Sequence, residues 1–142
     1  MSPTIPESIT EAYKFALVAQ GKAHAPYSHF LVGCAIKFKG VDELIPGCNV
    51  ENASYGATIC AERNALIQSV ARFGKKEIEY VVVVAKTTKP TPPCALCLQV
   101  FNEFGPHDFP IWIGNSSKLL KKYMFRELLP ISFDTLDDKE ET

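Results

Sequence analysis

Ile9, Ala12, Ala16 and Ala19 recur at helical spacing, so Ser8–Gln20 reads as an amphipathic helix with one buried face, ended by Gly21. Phe30–Phe38 alternates loosely and predicts a strand. A turn around Lys39–Glu43 leads to a second short strand, Leu44–Val50, and the two make a hairpin. Thr58–Phe73 returns to the helical period, with Thr58 placed to cap it and Gly74 to stop it. Ile78–Ala85 is a β-branched run without polar alternation, the pattern of a strand covered on both faces. A proline-rich loop, Lys89–Pro93, delivers the chain into a third helix, Cys94–Phe104. Phe109–Ile113 then reads as a strand, Ser116–Tyr123 as a short helix or irregular segment, and Arg126–Phe133 as a final packed piece.

The order helix, hairpin, helix, strand, helix, strand implies one sheet with helices on both faces. The expected fold class is α/β: a three-layer α/β/α domain with a mixed sheet of about five strands. The last two strands, joined through a helix, should run parallel by a right-handed crossover. Residues 1–133 form the expected domain, and 134–142 an acidic tail with no core to hold it.

A chain of 142 residues, 46% of them hydrophobic, can bury a core without disulfides. Its net charge of -1, with no basic block, gives no field for a polyanion, so nucleic acid is not an expected partner. Apolar runs such as Tyr80–Ala85 have the length of strands and not of membrane spans, and no membrane partner is expected. Met1–Glu7 is polar and carries no signal-peptide pattern. Five cysteines in that setting suit a reduced intracellular protein, cytoplasmic or also nuclear, whose thiols hold metal.

Two segments carry the chemistry: Cys60-Ala61-Glu62 and Pro93-Cys94-Ala95-Leu96-Cys97, each at the start of a predicted helix. Cys94 and Cys97 share one helix face, which Phe101 and Phe104 continue as an apolar stripe. Glu62, Leu66, Val70 and Phe73 form a matching stripe on the preceding helix. Two helix starts can therefore meet with the sulfurs of Cys60, Cys94 and Cys97 and the Glu62 carboxylate between them. One Zn²⁺ suits this set, since three protein ligands leave a tetrahedral ion one open position for activating water. Three thiolates leave net negative charge, which the helix N-termini and Arg63 can offset. The pattern Cys-x-Glu followed by Pro-Cys-x-x-Cys is that of zinc deaminases, with the Glu as proton shuttle and not a ligand.

Pro26-Tyr27-Ser28-His29-Phe30, Val32-Gly33 and Asn49-Val50-Glu51-Asn52-Ala53-Ser54-Tyr55-Gly56 extend the match, together with Leu128-Leu129-Pro130. From about the first helix to Phe133 the chain resembles the small, homotetrameric cytidine deaminases of pyrimidine salvage. The resemblance implies hydrolysis of free cytidine or deoxycytidine to the uridine and ammonia, with Glu62 carrying the proton. It implies that Phe30 packs on the pyrimidine, that Asn49 and Glu51 bind ribose hydroxyls, and that Ala61 contacts substrate. Ala53, Tyr55 and Phe133 match positions lent by neighbouring subunits of a homotetramer. Ala95 and Leu98 stand where the family commonly has Gly and Arg, which leaves more of the charge compensation to Arg63 and the helix ends.

Each of these residues has a plainer reading. The three cysteines could be buried thiols or a structural zinc module that binds a partner without turnover. Glu62 could be a solvated helix acid, Asn49 and Glu51 turn residues, Phe30 and Phe133 core, and Arg63 a surface charge. Cys34 and Cys48 read as core fillers, and His24, His29 and His107 as surface or loop residues. Among enzymes, deaminases of an aminonucleoside antibiotic or of a polynucleotide compete with the nucleoside reading.

Overall fold

In the computed structural model, which describes residues 4–134, the run Ile78–Ala85 is the middle strand of a five-stranded sheet and is covered on both faces. The elements in chain order are α1 (Glu7–Gln20), β1 (Val32–Phe38), β2 (Ile45–Cys48), α2 (Ala61–Phe73), β3 (Ile78–Ala85), α3 (Ala95–Phe104), β4 (Pro110–Gly114), β5 (Leu119–Met124) and α4 (Phe125–Leu128). The strand order is β2-β1-β3-β4-β5. β1 lies antiparallel to β2 and β3, β3 runs parallel to β4, and β4 lies antiparallel to β5.

The two faces of β3 divide the core. Val82 and Val84 join Ala35 and the α1 stripe of Ile9, Ala12 and Ala16. Val81 and Val83 point the other way, into a larger cluster with Leu66, Leu98 and Phe101 from α2 and α3. A strand with no polar face is stable only when covered in this way. The expected three-layer α/β/α arrangement with a mixed sheet is therefore the observed one.

Two glycines let the helices sit directly on the strands. A Cβ on Gly33 would lie 2.0 Å from the Ala16 carbonyl oxygen. One on Gly47 would lie 2.3 Å from the Ala61 oxygen and 2.7 Å from the Ala65 nitrogen. Only a residue without Cβ allows so close an approach. Gly47 thus seats the first turn of α2, which carries Ala61 and Glu62, on the edge strand β2.

Several expectations are corrected. Ser116–Tyr123 is not helical: Leu119–Met124 forms the edge strand β5. Its paired lysines hide the strand pattern, and their ammonium groups lie over apolar rings, Lys121 over Tyr123 at 5.2 Å and Lys122 over Trp112 at 5.5 Å. Lysines on an edge also discourage further strand pairing. Thr58 does not cap α2, which begins at Ala61 with Cys60 at the N-cap, because a short 3₁₀ turn, Tyr55–Ala57, ends at Thr58. The buried side of α2 is Ala61, Glu62, Ala65, Leu66 and Ser69, and Val70 is turned outward. Arg126–Phe133 is packed only in part: Leu128 and Leu129 rest on the larger core cluster. Only α4 is regular, with Phe125 buried against Phe109, whereas Ile131 and Phe133 are exposed. Residues 135–142, most of the acidic tail, lie outside the described residues.

Candidate active site

Cys60 and Cys94 occupy the N-cap positions of α2 and α3, and neither side chain caps its helix. Both sulfurs are free to face each other, at 3.9 Å, and Cys97 Sγ lies 3.6 Å from Cys94 Sγ. The three sulfurs all fall within 4.8 Å of one another, and no His, Asp or Glu joins the cluster among the described residues. A tetrahedral zinc with Zn–S bonds of about 2.3 Å sets its sulfurs about 3.8 Å apart. The observed spacings fit that edge length, so the donor set suits zinc with one position left open. Exposure grades across the trio: Cys97 is buried, Cys60 half-buried and Cys94 exposed.

Glu62 stands in the first turn of α2, two residues after Cys60, and is 5% exposed. It lines a cavity of about 230 Å³ together with Cys60, Cys94, Ala61, Phe30 and Asn49. Thr58 and the Thr91–Pro93 loop close the same space. The sequence marked Thr58 only as a helix cap and Pro93 only as part of the cysteine motif, and gave no sign that they and Thr91 and Pro92 wall a cavity. Arg63 donates from Nη2 to the Thr58 carbonyl at 3.3 Å and to Cys60 Sγ at 3.5 Å. It therefore sets a positive charge beside the Cys60 sulfur.

Beyond Thr58 a second cavity of about 360 Å³ opens, lined by Tyr27, Ser28, Glu51 and Tyr55. Asn49 braces the loop before β1, donating from Nδ2 to the Phe30 carbonyl at 2.8 Å and accepting at Oδ1 from Val32 N–H at 2.9 Å. Glu51 Oε1 accepts from the N–H groups of Tyr27 at 3.0 Å and Ser28 at 3.1 Å, and Oε2 accepts from the Ser28 hydroxyl. Phe30 is not core: it is partly exposed at the cavity mouth. Ala53 and Tyr55 are exposed, with Tyr55 edge-on to Tyr27 at 5.6 Å. Phe133, expected from one reading to be core, is exposed too. Its carbonyl accepts from Gln99 and Asn102 on the outer side of α3, and it lines neither cavity.

The sequence profile described as "Cytidine and deoxycytidylate deaminase zinc-binding region" matches residues 6–112. The chain belongs to this deaminase family. The deaminase chain is 41% identical over 124 residues to the cytidine deaminase of Halalkalibacterium halodurans, covering 87% of this chain and 92% of that one. It is 35% identical over 119 residues to the cytidine deaminase of Sporosarcina psychrophila, covering 84% and 86%. A crystal structure of cytidine deaminase from Burkholderia pseudomallei matches with a TM-score of 0.82 and 34% identity over 91% of this chain and 100% of that chain.

The electrostatics of the deaminase site suit a cation. The Cys60 thiol is held down to about 5, first by its hydrogen bond with Cys97 and then by the Arg63 guanidinium, against the effect of burial. Cys97 moves the opposite way, raised by that same bond, by burial and by Glu62. The two shifts oppose each other because the groups share one bond, and the Arg63 guanidinium favours the charged form at Cys60. Burial pushes the Glu62 carboxyl above its ordinary range, with a hydrogen bond to Cys97 acting in opposition. Glu51 lies below the usual carboxylate range, chiefly through the bond from the Ser28 hydroxyl. Of the two remaining cysteines, Cys34 is a core filler, fully buried with its thiol pushed well up by burial. Cys48 is only half-buried and lines an outer apolar groove.

Proposed function

We propose that this chain hydrolyses the free nucleosides cytidine and deoxycytidine at C4 of the base, with Glu62 as its proton carrier. Zinc-dependent cytidine deamination is the activity of its family, and the observation that carries the residue assignment is Glu62 itself. A carboxyl this buried, sharing a cavity with two of three clustered sulfurs, has little reason to exist as a structural group. Zinc on Cys60, Cys94 and Cys97 supplies Lewis acidity and an acidified water near neutral pH. Glu62 takes a proton from the attacking water and delivers it to ring N3, which makes C4 electrophilic. It then takes the second proton, from the new C4 hydroxyl, and passes it to the departing amine as the C4 carbonyl forms. Water adds at C4, the C4–N bond breaks, ammonia leaves, and the product is the uridine.

Arg63 offsets the charge of the thiolates together with the N-termini of α2 and α3, since Leu98 is buried in the core and brings no charge. Ala61 floors the cavity and Phe30 covers the pyrimidine. Asn49 and Glu51 reach the ribose, and both are already braced by the loop they hold. A carboxylate in the sugar cavity, with no Lys or Arg among the residues lining it, favours a nucleoside over a nucleotide or a polynucleotide. The panel that tests the reading is ammonia release from cytidine, deoxycytidine, a cytosine-containing antibiotic and single-stranded DNA. Turnover of the two nucleosides alone is expected.

The working unit we propose is a homotetramer. A groove of about 530 Å³ between α1, β2 and α2 is lined by Phe15, Val18 and Pro46, and Val18 is 63% exposed. Apolar surface of this kind favours burial against another copy. Ala53, Tyr55 and Phe133, all facing solvent in one chain, would then complete a neighbour's pocket. No helix among the described residues is long and apolar enough to cross a membrane. A reduced cytoplasmic setting would keep the three thiols available to the metal.

A further inference from the structure

The loop between α1 and β1 contains a conformation that the reaction chemistry leaves unexplained. His29 has φ 58°, in the left-handed region, and no other non-glycine residue among the described ones has positive φ. A residue with a Cβ holds that conformation only where its surroundings impose it. The imidazole is exposed, so the constraint comes through the backbone. His29 N–H donates to the Ala25 carbonyl at 2.9 Å, and Phe30 N–H turns back to donate to Ser28 Oγ at 3.0 Å.

Ser28 is the hub of this turn. Its hydroxyl accepts from Phe30 N–H and donates to Glu51 Oε2, while its own N–H donates to Glu51 Oε1 at 3.1 Å. One side chain therefore links the wall of the metal cavity, where Phe30 stands, to the wall of the neighbouring cavity, where Glu51 stands. Asn49 holds Phe30 as well, donating to its backbone carbonyl, so the main chain that carries the ring is fixed on both sides.

We propose that Ser28 is a positioning residue that couples base recognition to sugar recognition, holding Phe30 and Glu51 at a fixed spacing across a strained turn. The proposal rests on the reading that Phe30 meets the pyrimidine and Glu51 the ribose. A free nucleoside presents both groups at a spacing set by its glycosidic bond, so a site with the same spacing built in loses less freedom on binding. The effect belongs to ground-state binding and not to the proton transfers at Glu62, which lies outside this network.

The test is steady-state kinetics on cytidine with zinc-loaded enzyme, using Ser28→Ala, Glu51→Ala and the double variant. Ser28→Ala should raise KM about 10-fold, the loss of one hydrogen bond to a charged group. Its kcat should change by less than about 3-fold, as expected when uniform binding is removed. Zinc content and Tm should be unchanged. Because Ser28 acts on the spacing between Phe30 and Glu51, and that spacing has no sugar end once Glu51 is gone, the double variant should be no worse than Glu51→Ala within about 2-fold. Losses that multiply in the double variant would show Ser28 touching the nucleoside itself and overturn the positioning role. An unchanged KM in Ser28→Ala beside a raised KM in Glu51→Ala would overturn the proposal and leave the sugar reading standing. An unchanged KM in Glu51→Ala would remove the sugar reading and this proposal with it. A fall in kcat together with Tm and zinc would make Ser28 merely structural, which also overturns it.

Discussion

Cys60 Sγ and Cys94 Sγ stand 3.9 Å apart although 34 positions separate them in the chain. Each leads a helix, so an ion shared between them ties the start of α2 to the start of α3. Cys97→Ala should therefore lose most of its zinc, from about one equivalent to a small fraction, and its Tm should fall because metal binding is folding free energy. Elemental analysis beside calorimetry checks both. Full zinc occupancy in the variant would count against this ligand set.

Glu62→Gln keeps the side chain's volume but removes its capacity to carry a proton. Turnover should drop by at least ~10² with zinc retained. Near-normal turnover would sink the shuttle role, whereas lost zinc would recast Glu62 as a ligand.

The sugar contacts are tested by leaving the sugar out. Cytosine offers no hydroxyl to Asn49 or Glu51, so it should be a far poorer substrate than cytidine. The difference should be at least about 2 kcal/mol in kcat/KM, the scale of a hydrogen bond to a charged group. Equal turnover of base and nucleoside would refute sugar recognition.

Gly47→Ala places a methyl 2.3 Å from the Ala61 carbonyl and should push the first turn of α2 off β2. Destabilisation of about 1–3 kcal/mol is expected for such overpacking, with weakened zinc binding because Cys60 moves too. Gly56→Ala is the control, since nothing lies within 4 Å of its added Cβ. Denaturant unfolding of both variants decides, and equal stability would show that α2 yields without cost.

Phe133→Ala should impair catalysis without touching zinc, although the ring lines neither cavity of its own chain. Light scattering and activity across a dilution series should show activity falling as the tetramer dissociates. A fully active monomer would defeat the shared pocket and leave the metal chemistry intact.

Much of this was legible in the chain, for identifiable reasons. Ile9, Ala12, Ala16 and Ala19 announced α1 because one face of that helix meets the sheet, and Ile78–Ala85 announced β3 because both faces are covered. The sulfurs were legible because their helices begin beside them. β5 was not, because Lys121 and Lys122 interrupt its alternation and an edge strand needs only one covered side. Thr58 was misread as a cap because a turn of 3₁₀ helix and the metal ligand stand where a capping serine or threonine would be expected. The brace of Ser28 on Glu51 spans 23 positions between two loops, where no periodicity operates.

The graded exposure of the three sulfurs gives the metal centre a threshold and a floor. Cys94 is the sulfur open to solvent, so an arriving ion would meet it first and Cys97 last. A departing ion would retrace the route, with Cys94 first and half-buried Cys60 second among the sulfurs that water can reach. Chelators and oxidants would arrive by the same doorway, so the loaded enzyme is most open to attack at its outermost ligand.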